Sequence, residues 1–341
     1  MVGKPSAFQC GGIASVATYT VLGFWAVVCL FPLYWIAATT LKQPLDVING
    51  PRFLPFVDFK PTLDAWAYIL FNPQDDTLRR YVNSVVVAFA STGLTVLFGG
   101  FAAFGLMRSL VSIPLAVAGF VALVVAAASA STLLGASVGL AGLVGIALIA
   151  VAIVPINRRA RKHKWTFDSG GILFAILASR ILPPVVTVLP VYYMVDSVHL
   201  LDTQFALALT YTAANLPIAV WLLRGFFAEV PLEIEEAAQL DGASRFRIFF
   251  VLVVPLTRAG IATALLVFVL AWNEYLLAVY LTSDHALTMP PFLAGQMATR
   301  EQMASADPEW GYFSVLIVLM VAPLVLFAGI AQKVVSRSVR V

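Results

Sequence analysis

Long apolar runs constrain what this chain can fold into more than any other feature of its sequence. The first run extends from Ile13 to Thr40, and others recur as far as residue 333. A helix needs about 20 apolar residues to cross the hydrocarbon core of a bilayer, and the first run is too long for a signal peptide. Because 61% of the residues are hydrophobic and only 11% are charged, a soluble fold would expose large apolar patches to water. The runs therefore predict an all-α integral membrane protein.

Eight stretches are predicted to span the membrane as helices, within a single transmembrane domain that covers residues 1–341. They lie at about 14–40, 82–107, 111–131, 133–155, 170–195, 204–225, 258–281 and 313–333. The long connection at 41–81 is predicted to lie outside the cell and to contain a short interfacial helix near residues 63–71. The Ala-, Gly- and Val-rich pair within 111–156 is predicted to form an inserted transmembrane hairpin.

Lysine and arginine residues predict which side of the membrane each connection faces. With the N-terminus inside, 14 of them fall in cytoplasmic segments and 6 fall in outside segments, as the positive-inside rule requires. The basic cluster at 157–164 is the strongest anchor. Its place beside a membrane helix favours a topology determinant over a nucleic-acid or anionic-lipid site, so no nucleic-acid partner is expected. Both termini are predicted to be cytoplasmic.

The same charges support the hairpin at 111–156. Arg108 and the basic cluster at 157–164 both belong on the cytoplasmic side, so an even number of crossings must lie between them. Small residues such as Gly135 and Gly139 would let its second helix pack closely on a neighbour. We expect a peripheral hairpin that contacts the core helices, a partner or lipid.

No metal or nucleotide site is evident in the sequence. Cys10 and Cys29 lack metal-binding spacing, and His163, His199 and His285 are far apart. The Gly-x4-Gly-Lys-Ser/Thr pattern that cradles the phosphates of ATP is missing. We therefore expect a non-catalytic protein that binds no cofactor directly.

The cytoplasmic segment at 226–257 is predicted to form two short helices joined by a glycine turn. Pro231 suits the first turn of a helix, and the acidic residues after it favour a helix N-terminus. Gly242 permits the left-handed backbone that ends a helix. A second helix is predicted to begin near Ala243 or Ser244. This shape alone also fits an ordinary amphipathic connector.

Specific residues make this segment resemble the EAA loop of ABC-importer permeases. Glu236-Ala237-Ala238 is followed after three residues by Gly242, and after nine more by Leu252-Val253-Val254-Pro255. The family pattern is Glu-Ala-Ala-x3-Gly-x9-Ile-x-Leu-Pro, so only two positions differ, both conservatively. In that family the loop sits in a cleft of an ATPase subunit and transmits its closure to the membrane helices. The resemblance implies ATPase contacts for Glu235, Glu236, Ala237, Ala238, Asp241, Gly242 and Ala243.

Other stretches are similar to the carbohydrate, maltose-type branch of these permeases. They include Asn83-Ser84, Ile181-Leu182-Pro183-Pro184, Leu200-Leu201-Asp202-Thr203, Asn215-Leu216-Pro217 and Trp272-Asn273-Glu274-Tyr275. The resemblance covers most of 14–110 and 165–335, but neither 111–160 nor the C-terminal tail. It implies a six-helix type I ABC-importer core in the bacterial plasma (inner) membrane, to which the hairpin adds two spans.

The resemblance also implies a function and a set of partners. The chain would be the transmembrane permease subunit of a binding-protein-dependent ABC importer for a sugar or sugar-like solute. It would form a heterodimer with a second permease subunit within membrane lipid. Two ATPase subunits would use ATP, and an extracytoplasmic solute-binding protein would deliver the solute.

Polar residues and prolines within the spans are candidates for a translocation path. Pro183 and Pro184 break helical hydrogen bonding inside the membrane, which is tolerated where the backbone lines a cavity or is buried in protein. Asn215, Asn273 and Glu274 are polar residues in spans, and Glu274 is the clearest intramembrane acid. An intramembrane acid is a functional hypothesis, whereas a helix–helix hydrogen bond is the structural alternative. Both interpretations stay open.

Two other classes of function fit a protein with several spans. A secondary transporter driven by an ion gradient would favour inverted repeats and several intramembrane ionisable residues. The sequence has no clear repeat, and only Arg180 and Glu274 stand out as intramembrane charges. A membrane-embedded enzyme would need a cluster of histidines or acids, which the sequence does not provide.

Overall fold

The computed structural model describes residues 12–72, 76–108, 113–114, 166–167, 169–181, 183–256, 260–302 and 310–338. Within these ranges nearly all regular structure is helical, which confirms the predicted fold class. The predicted hairpin at 111–156 and the basic cluster at 157–164 lie outside the described residues, apart from Ile113 and Pro114.

The helices are bounded as follows. In chain order they are α1 (Gly12–Thr39), α2 (Pro44–Ile48), α3 (Asp64–Phe71), α4 (Thr77–Arg108), α5 (Ser169–Ala178), α6 (Pro184–Ser197), α7 (Gln204–Phe227), α8 (Leu232–Leu240), α9 (Arg245–Leu256), α10 (Gly260–Trp272), α11 (Leu276–Leu281), α12 (Met289–Gln302) and α13 (Trp310–Ser338). A 3-10 turn at Ser179–Ile181 extends α5, and a π-helical turn at Ile248–Val253 forms the middle of α9.

Four of these helices, α1, α4, α7 and α13, are long and apolar enough to cross a membrane alone. Two bent pairs also have the necessary length and composition: α5 with α6, bent by 92°, and α9 with α10, bent by 85°. The described residues thus contain four to six candidate spans, where the sequence predicted six besides the hairpin.

The prediction of one continuous helix over 258–281 is wrong at its centre. Helix α10 ends at Trp272, and α11 begins only at Leu276. Between them, the side-chain amide of Asn273 donates to the carbonyl oxygen of Val269 at 2.8 Å, and Oε1 of Glu274 accepts from the amide of Leu277 at 3.2 Å. These side chains offer the backbone alternatives to its helical hydrogen bonds, which favours a break at this point.

A short antiparallel pairing joins the start of the predicted hairpin to the chain just before α5, so residues 113–114 form a strand where a helix was predicted. Ile113 pairs with Phe167, and Pro114 pairs with Thr166. The pairing places the two ends of residues 115–165 side by side. The chain therefore leaves and rejoins the described structure at one place.

The closeness of Cα atoms in space divides the chain into two compact units. One contains α1–α3 with Gly295–Ala322, and the other contains Leu78–Ala294 with the chain from Pro323 onward. In the first unit Lys42 is 3% exposed, and its ammonium lies 3.9 Å from the ring centre of Trp35. Burial lowers the pKa of Lys42, although Asp46 and Asp58 oppose that shift. The cation–π contact holds the loop after α1 against the end of that helix.

The second unit has its core where α4 and α7 approach each other closely. A β-carbon added at Gly99 would lie 3.1 Å from that of Ala219, and one added at Gly100 would lie 3.2 Å from the ring of Phe249. Small residues at such points let membrane helices pack tightly. Helices α5 and α9 complete this core, whose buried members are Ala103, Leu106, Ile172, Leu173, Val220, Leu223, Phe227, Ile248, Phe249 and Val253.

Asp202 ties the turn between α6 and α7 to the loop after α11. It adopts a left-handed φ of +58°. Its carboxylate accepts hydrogen bonds at 2.9–3.3 Å from the backbone amides of residues 283–286 and from the hydroxyl of Ser283. Partial burial would raise the pKa of Asp202, but these hydrogen bonds outweigh burial and lower the pKa to about 2.

We expect Asp202→Asn to weaken this connection. Asparagine tolerates the left-handed backbone, but its amide nitrogen cannot accept the donors that face the second carboxylate oxygen. Because the pKa in the folded protein lies below the usual value of about 3.9, the carboxylate stabilises the wild type above pH ~4, and that contribution fades as the pH falls toward 2. Thermal unfolding in detergent should show a lower Tm for the variant at neutral pH and a smaller difference in acid. A difference in Tm that does not change with pH would contradict this account.

Candidate functional site

The glycine turn predicted between the two short helices closes α8 with a regular helix-ending geometry. Helix α8 ends at Leu240, and Gly242 adopts a φ of +82°. The amide of Gly242 donates to the carbonyl oxygen of Gln239 at 3.0 Å, and the amide of Ala243 donates to that of Ala238 at 2.9 Å. These two bonds form a Schellman motif, which satisfies carbonyl groups that a helix end otherwise leaves free. The left-handed residue is therefore a requirement of the turn.

Both short helices present exposed side chains. Leu240 is 89% exposed, Phe246 is 69% exposed and Val251 is 62% exposed. Among the predicted ATPase contacts, the exposed residues are Glu236, Ala237, Asp241 and Gly242, and the partly buried ones are Ala238 and Ala243. Arg245 and Arg247 are exposed as well, so this surface combines apolar, acidic and basic side chains that another protein could contact.

Glu235 is placed differently from the other predicted ATPase contacts. Its side chain is 2% exposed, so it is buried within this chain. The reason is helical spacing: Glu235 shares a face with Ala238, which packs against the core of the second unit. Glu236, one position further along, falls on the exposed side.

Phe249 anchors this segment to the membrane helices. It is 4% exposed, and its ring centre lies 5.0 Å from that of Phe101, 5.4 Å from that of Phe104 and 5.9 Å from that of Phe227. The first two rings belong to α4, and the third ends α7. Burial of a phenylalanine side chain contributes about 1.5–3 kcal/mol. A displacement of α9 would therefore carry the adjoining ends of α4 and α7 with it.

The π-helical turn in α9 explains how Phe249 reaches that position. Pro255 has no amide hydrogen, and its ring crowds the carbonyl of the residue four positions earlier. The helix widens over Ile248–Val253, just before this proline. As a result Ile248, Phe249 and Val253 are buried, while Phe250 and Val251 are exposed.

A second candidate site is a cavity of about 320 Å³ in the second unit, bounded by helix breaks. Its polar lining comprises Arg180, Glu274, Ser179, Thr187 and Thr210. Pro184, the first residue of α6, forms part of the wall. Proline is tolerated there because the first amides of a helix have no helical acceptor, and the 92° bend at this point confirms the predicted break.

The two charges in the cavity are held by different contacts. Nη2 of Arg180 donates to Oδ1 of Asn215 at 3.1 Å, and Asn215 itself is 5% exposed. Glu274 uses Oε1 to accept the amide of Leu277 at the start of α11. No ion pair joins the two charges within the described part of the chain. A polyhydroxyl solute could accept hydrogen bonds from the guanidinium and donate them to the carboxylate.

Three of the predicted path residues meet around this cavity, and two do not. Pro184 and Glu274 line it. Asn215 takes part indirectly, because its side chain accepts a hydrogen bond from Arg180, which lines the cavity. Pro183 precedes α6 as its cap residue, and Asn273 turns its amide back onto its own helix. Arg180 was absent from the predicted site, although an arginine in an apolar span beside two prolines is a usable signal.

Comparison with known proteins places the chain among transport proteins. The model of the family described as "Binding-protein-dependent transport system inner membrane component" matches residues 160–341, just over half of the chain. That range includes α8, α9 and every residue that lines the cavity.

Individual relatives match over nearly the whole chain. The inner membrane ABC transporter permease protein YcjP of Escherichia coli is 30% identical over 95% of this chain and 94% of its own length. The probable ABC transporter permease protein y4oR of Sinorhizobium fredii is 29% identical over 91% and 89%. The trehalose/maltose transport system permease protein MalG of Thermococcus litoralis is 25% identical over 90% and 88%.

A solved structure shares the fold. A chain in the crystal structure of a bacterial ABC transporter involved in the import of the acidic polysaccharide alginate is similar with a TM-score of 0.63, over 97% of this chain and 99% of that chain. The two are 17% identical, so this likeness bears on the fold alone. From the family match and the relatives together, the chain belongs to the inner membrane components of binding-protein-dependent transport systems, the permeases of ABC transporters.

Proposed function

We propose that this permease imports a sugar or a sugar-like solute, and that ATP hydrolysis by a separate subunit docked on α8 and α9 drives it between outward-facing and inward-facing states. The observation that carries the proposal is the two-sided segment around Phe249, which is exposed on one side and buried against α4 and α7 on the other. The names of relatives support the solute class, since they include a trehalose/maltose permease and the diacetylchitobiose permease of Streptomyces coelicolor.

The proposal includes several partners. The sequence has no motif for cradling nucleotide phosphates, so two ATPase subunits bind and hydrolyse ATP, and this chain binds no cofactor directly. A second permease subunit completes the pathway as a heterodimer. An extracytoplasmic binding protein delivers the solute, in keeping with the description of the family.

The proposal also includes the topology. Residues 111–156 form a peripheral transmembrane hairpin, both termini are cytoplasmic, and the protein resides in the bacterial inner membrane. The pairing of Ile113 with Phe167 supports an even number of crossings between these two residues, because a segment whose two ends meet must return to the side of the membrane that it left.

An ion-gradient-driven secondary transporter, the alternative raised by the sequence, finds no support. The family and the relatives are ABC transporter permeases. The two notable intramembrane charges among the described residues, Arg180 and Glu274, line a single cavity.

Gly242 tests the coupling role. A left-handed φ disfavours an ordinary side chain by about 1–2 kcal/mol, and the space around Gly242 is otherwise open. We expect Gly242→Val to lower ATP-driven uptake into proteoliposomes about tenfold or more. Gly242→Asn is the matched control, since asparagine tolerates this backbone, and it should keep most of the uptake.

The same assay separates the proposed function from the coupling role. Uptake by the wild type should require the ATPase subunit, ATP and the binding protein. Uptake that persists without ATP and follows an imposed ion gradient would overturn the function. Normal uptake by the valine variant would overturn only the role of the turn.

Phe249 and Phe246 lie in one helix with opposite exposure, at 4% and 69%, so they separate anchoring from docking. Truncation of a buried phenylalanine costs about 3–5 kcal/mol. We expect Phe249→Ala to lower the Tm of the purified protein by several degrees and to uncouple ATP hydrolysis from uptake. Phe246→Ala should leave the Tm near that of the wild type but weaken co-purification of the ATPase. An equal loss of Tm in both variants would contradict this division.

Glu274 distinguishes a path-lining charge from a helix cap. Glutamine keeps an oxygen that can accept the amide of Leu277 but removes the charge from the cavity, whereas leucine removes both. We expect Glu274→Gln to lower uptake of maltose, trehalose or a related sugar several-fold while the ATPase still co-purifies. If the glutamine variant transports normally and only Glu274→Leu fails to assemble, the carboxylate serves as a cap alone.

A further inference from the structure

The loop after α1 turns back along that helix and does not lead directly away from the membrane. The ring centre of Phe53 lies 5.3 Å from that of Trp35 and 6.2 Å from that of Phe31, and the hydroxyl of Tyr34 donates to the carbonyl oxygen of Phe53. At a rise of 1.5 Å per residue, Trp35 and Phe31 lie about 6 and about 12 Å from Thr39, where α1 ends. Phe53 therefore packs beside the last turns of a helix that is long and apolar enough to cross a membrane.

Beyond Phe53, a tight turn presents apolar side chains. Leu54 is 55% exposed, Phe56 is 86% exposed and Val57 is 78% exposed. Phe56 has a φ of +66°, a conformation that is rare for a bulky residue and that glycine or asparagine would adopt more easily. Strained backbone is concentrated at functional sites, so the outward position of this aromatic ring suggests a functional contact.

The backbone amides of this turn are satisfied within the chain, as a segment in a bilayer requires. The amides of residues 53–54 both donate to Oδ2 of Asp58 at 2.8 Å. The amides of residues 56–58 donate to the carbonyl oxygens of Leu54 and Phe59 at 2.9–3.3 Å, and the residue at position 55 is a proline, which has no amide hydrogen. The turn can therefore enter an apolar medium without exposing a free N–H group.

The chain returns to the end of α1 directly after this turn. Phe59 is buried, and its ring centre lies 5.4 Å from the ammonium of Lys42. The amide of Thr62 then donates to the carbonyl oxygen of Leu41 at 2.9 Å. On the other side of the turn Arg52 is paired with Asp46, so charged side chains flank the apolar turn.

We propose that residues 53–57 form an apolar hook that inserts into the lipid leaflet at the Thr39 end of α1. The hook is continuous with the surface of α1, whose spanning window is only 6% buried within this chain. Interfacial segments bury their apolar residues about 5–10 Å into the acyl boundary, which matches the depth set by Phe31 and Trp35. Tyr and Trp side chains such as those that flank Phe53 are enriched at membrane interfaces. The hook fixes the depth of α1 in the bilayer.

Site-specific fluorescence quenching tests this placement. Cys10 and Cys29 are replaced by serine, and bimane is attached at Phe56→Cys, at Val57→Cys as a second site, and at Lys60→Cys, whose position is exposed just beyond the turn. The full-length chain is co-purified with its partner subunits and reconstituted in vesicles of phosphatidylethanolamine and phosphatidylglycerol, with or without lipids brominated in the acyl chains.

We expect brominated lipids to quench bimane at positions 56 and 57 several-fold more strongly than at position 60, and aqueous iodide to show the opposite order. Iodide quenching at 56 and 57 equal to that at 60 would place the hook in water. Quenching by neither agent would mean that a protein partner covers the hook. Either result would overturn the proposal.

Discussion

The packing of Phe249 beside Gly100 is the contact on which the core of the second unit depends. A β-carbon at Gly100 would lie 3.2 Å from the ring, so only glycine leaves the ring in its place between α4 and α7 without a shift. The segment that contains the glycine turn and the long helices α4 and α7 are joined here by close apolar packing. Interiors packed in this way deform little, so a displacement of α9 is passed on to the ends of α4 and α7 that it contacts.

Sequence reasoning succeeded where a property is local. The apolar runs predict spans because the bilayer imposes one length on every crossing. Gly242 was predictable as a helix end because glycine adopts the left-handed backbone more readily than other residues, and the structure gives it a φ of +82°. The break at Pro184 was predictable for the same kind of reason.

Sequence reasoning failed where a property depends on which elements meet. The burial of Glu235 follows from the face of α8 that packs on the core, and its neighbour Glu236 differs only in facing away. Arg180 takes its partner, Asn215, from 35 residues further along the chain. The break in the helix predicted over 258–281 arises because two adjacent polar side chains bind backbone groups. Hydropathy does not detect this competition.

The cavity is bounded by this break and by the break at Pro184. Residues next to the helix breaks, Arg180 and Glu274, therefore also bring charge to the cavity.

The pairing of residues 113–114 with residues 166–167 has a consequence for how this chain can change over time. The entropy of closing a loop grows only with the logarithm of its length, by about 0.6 kcal/mol for each doubling. Because the two ends of the intervening segment already lie together, the remainder of the fold is nearly indifferent to how many residues separate them. The junction is thus a place where whole elements can be gained or lost by insertion and deletion, while the register of α4 against α7 and α9 is kept.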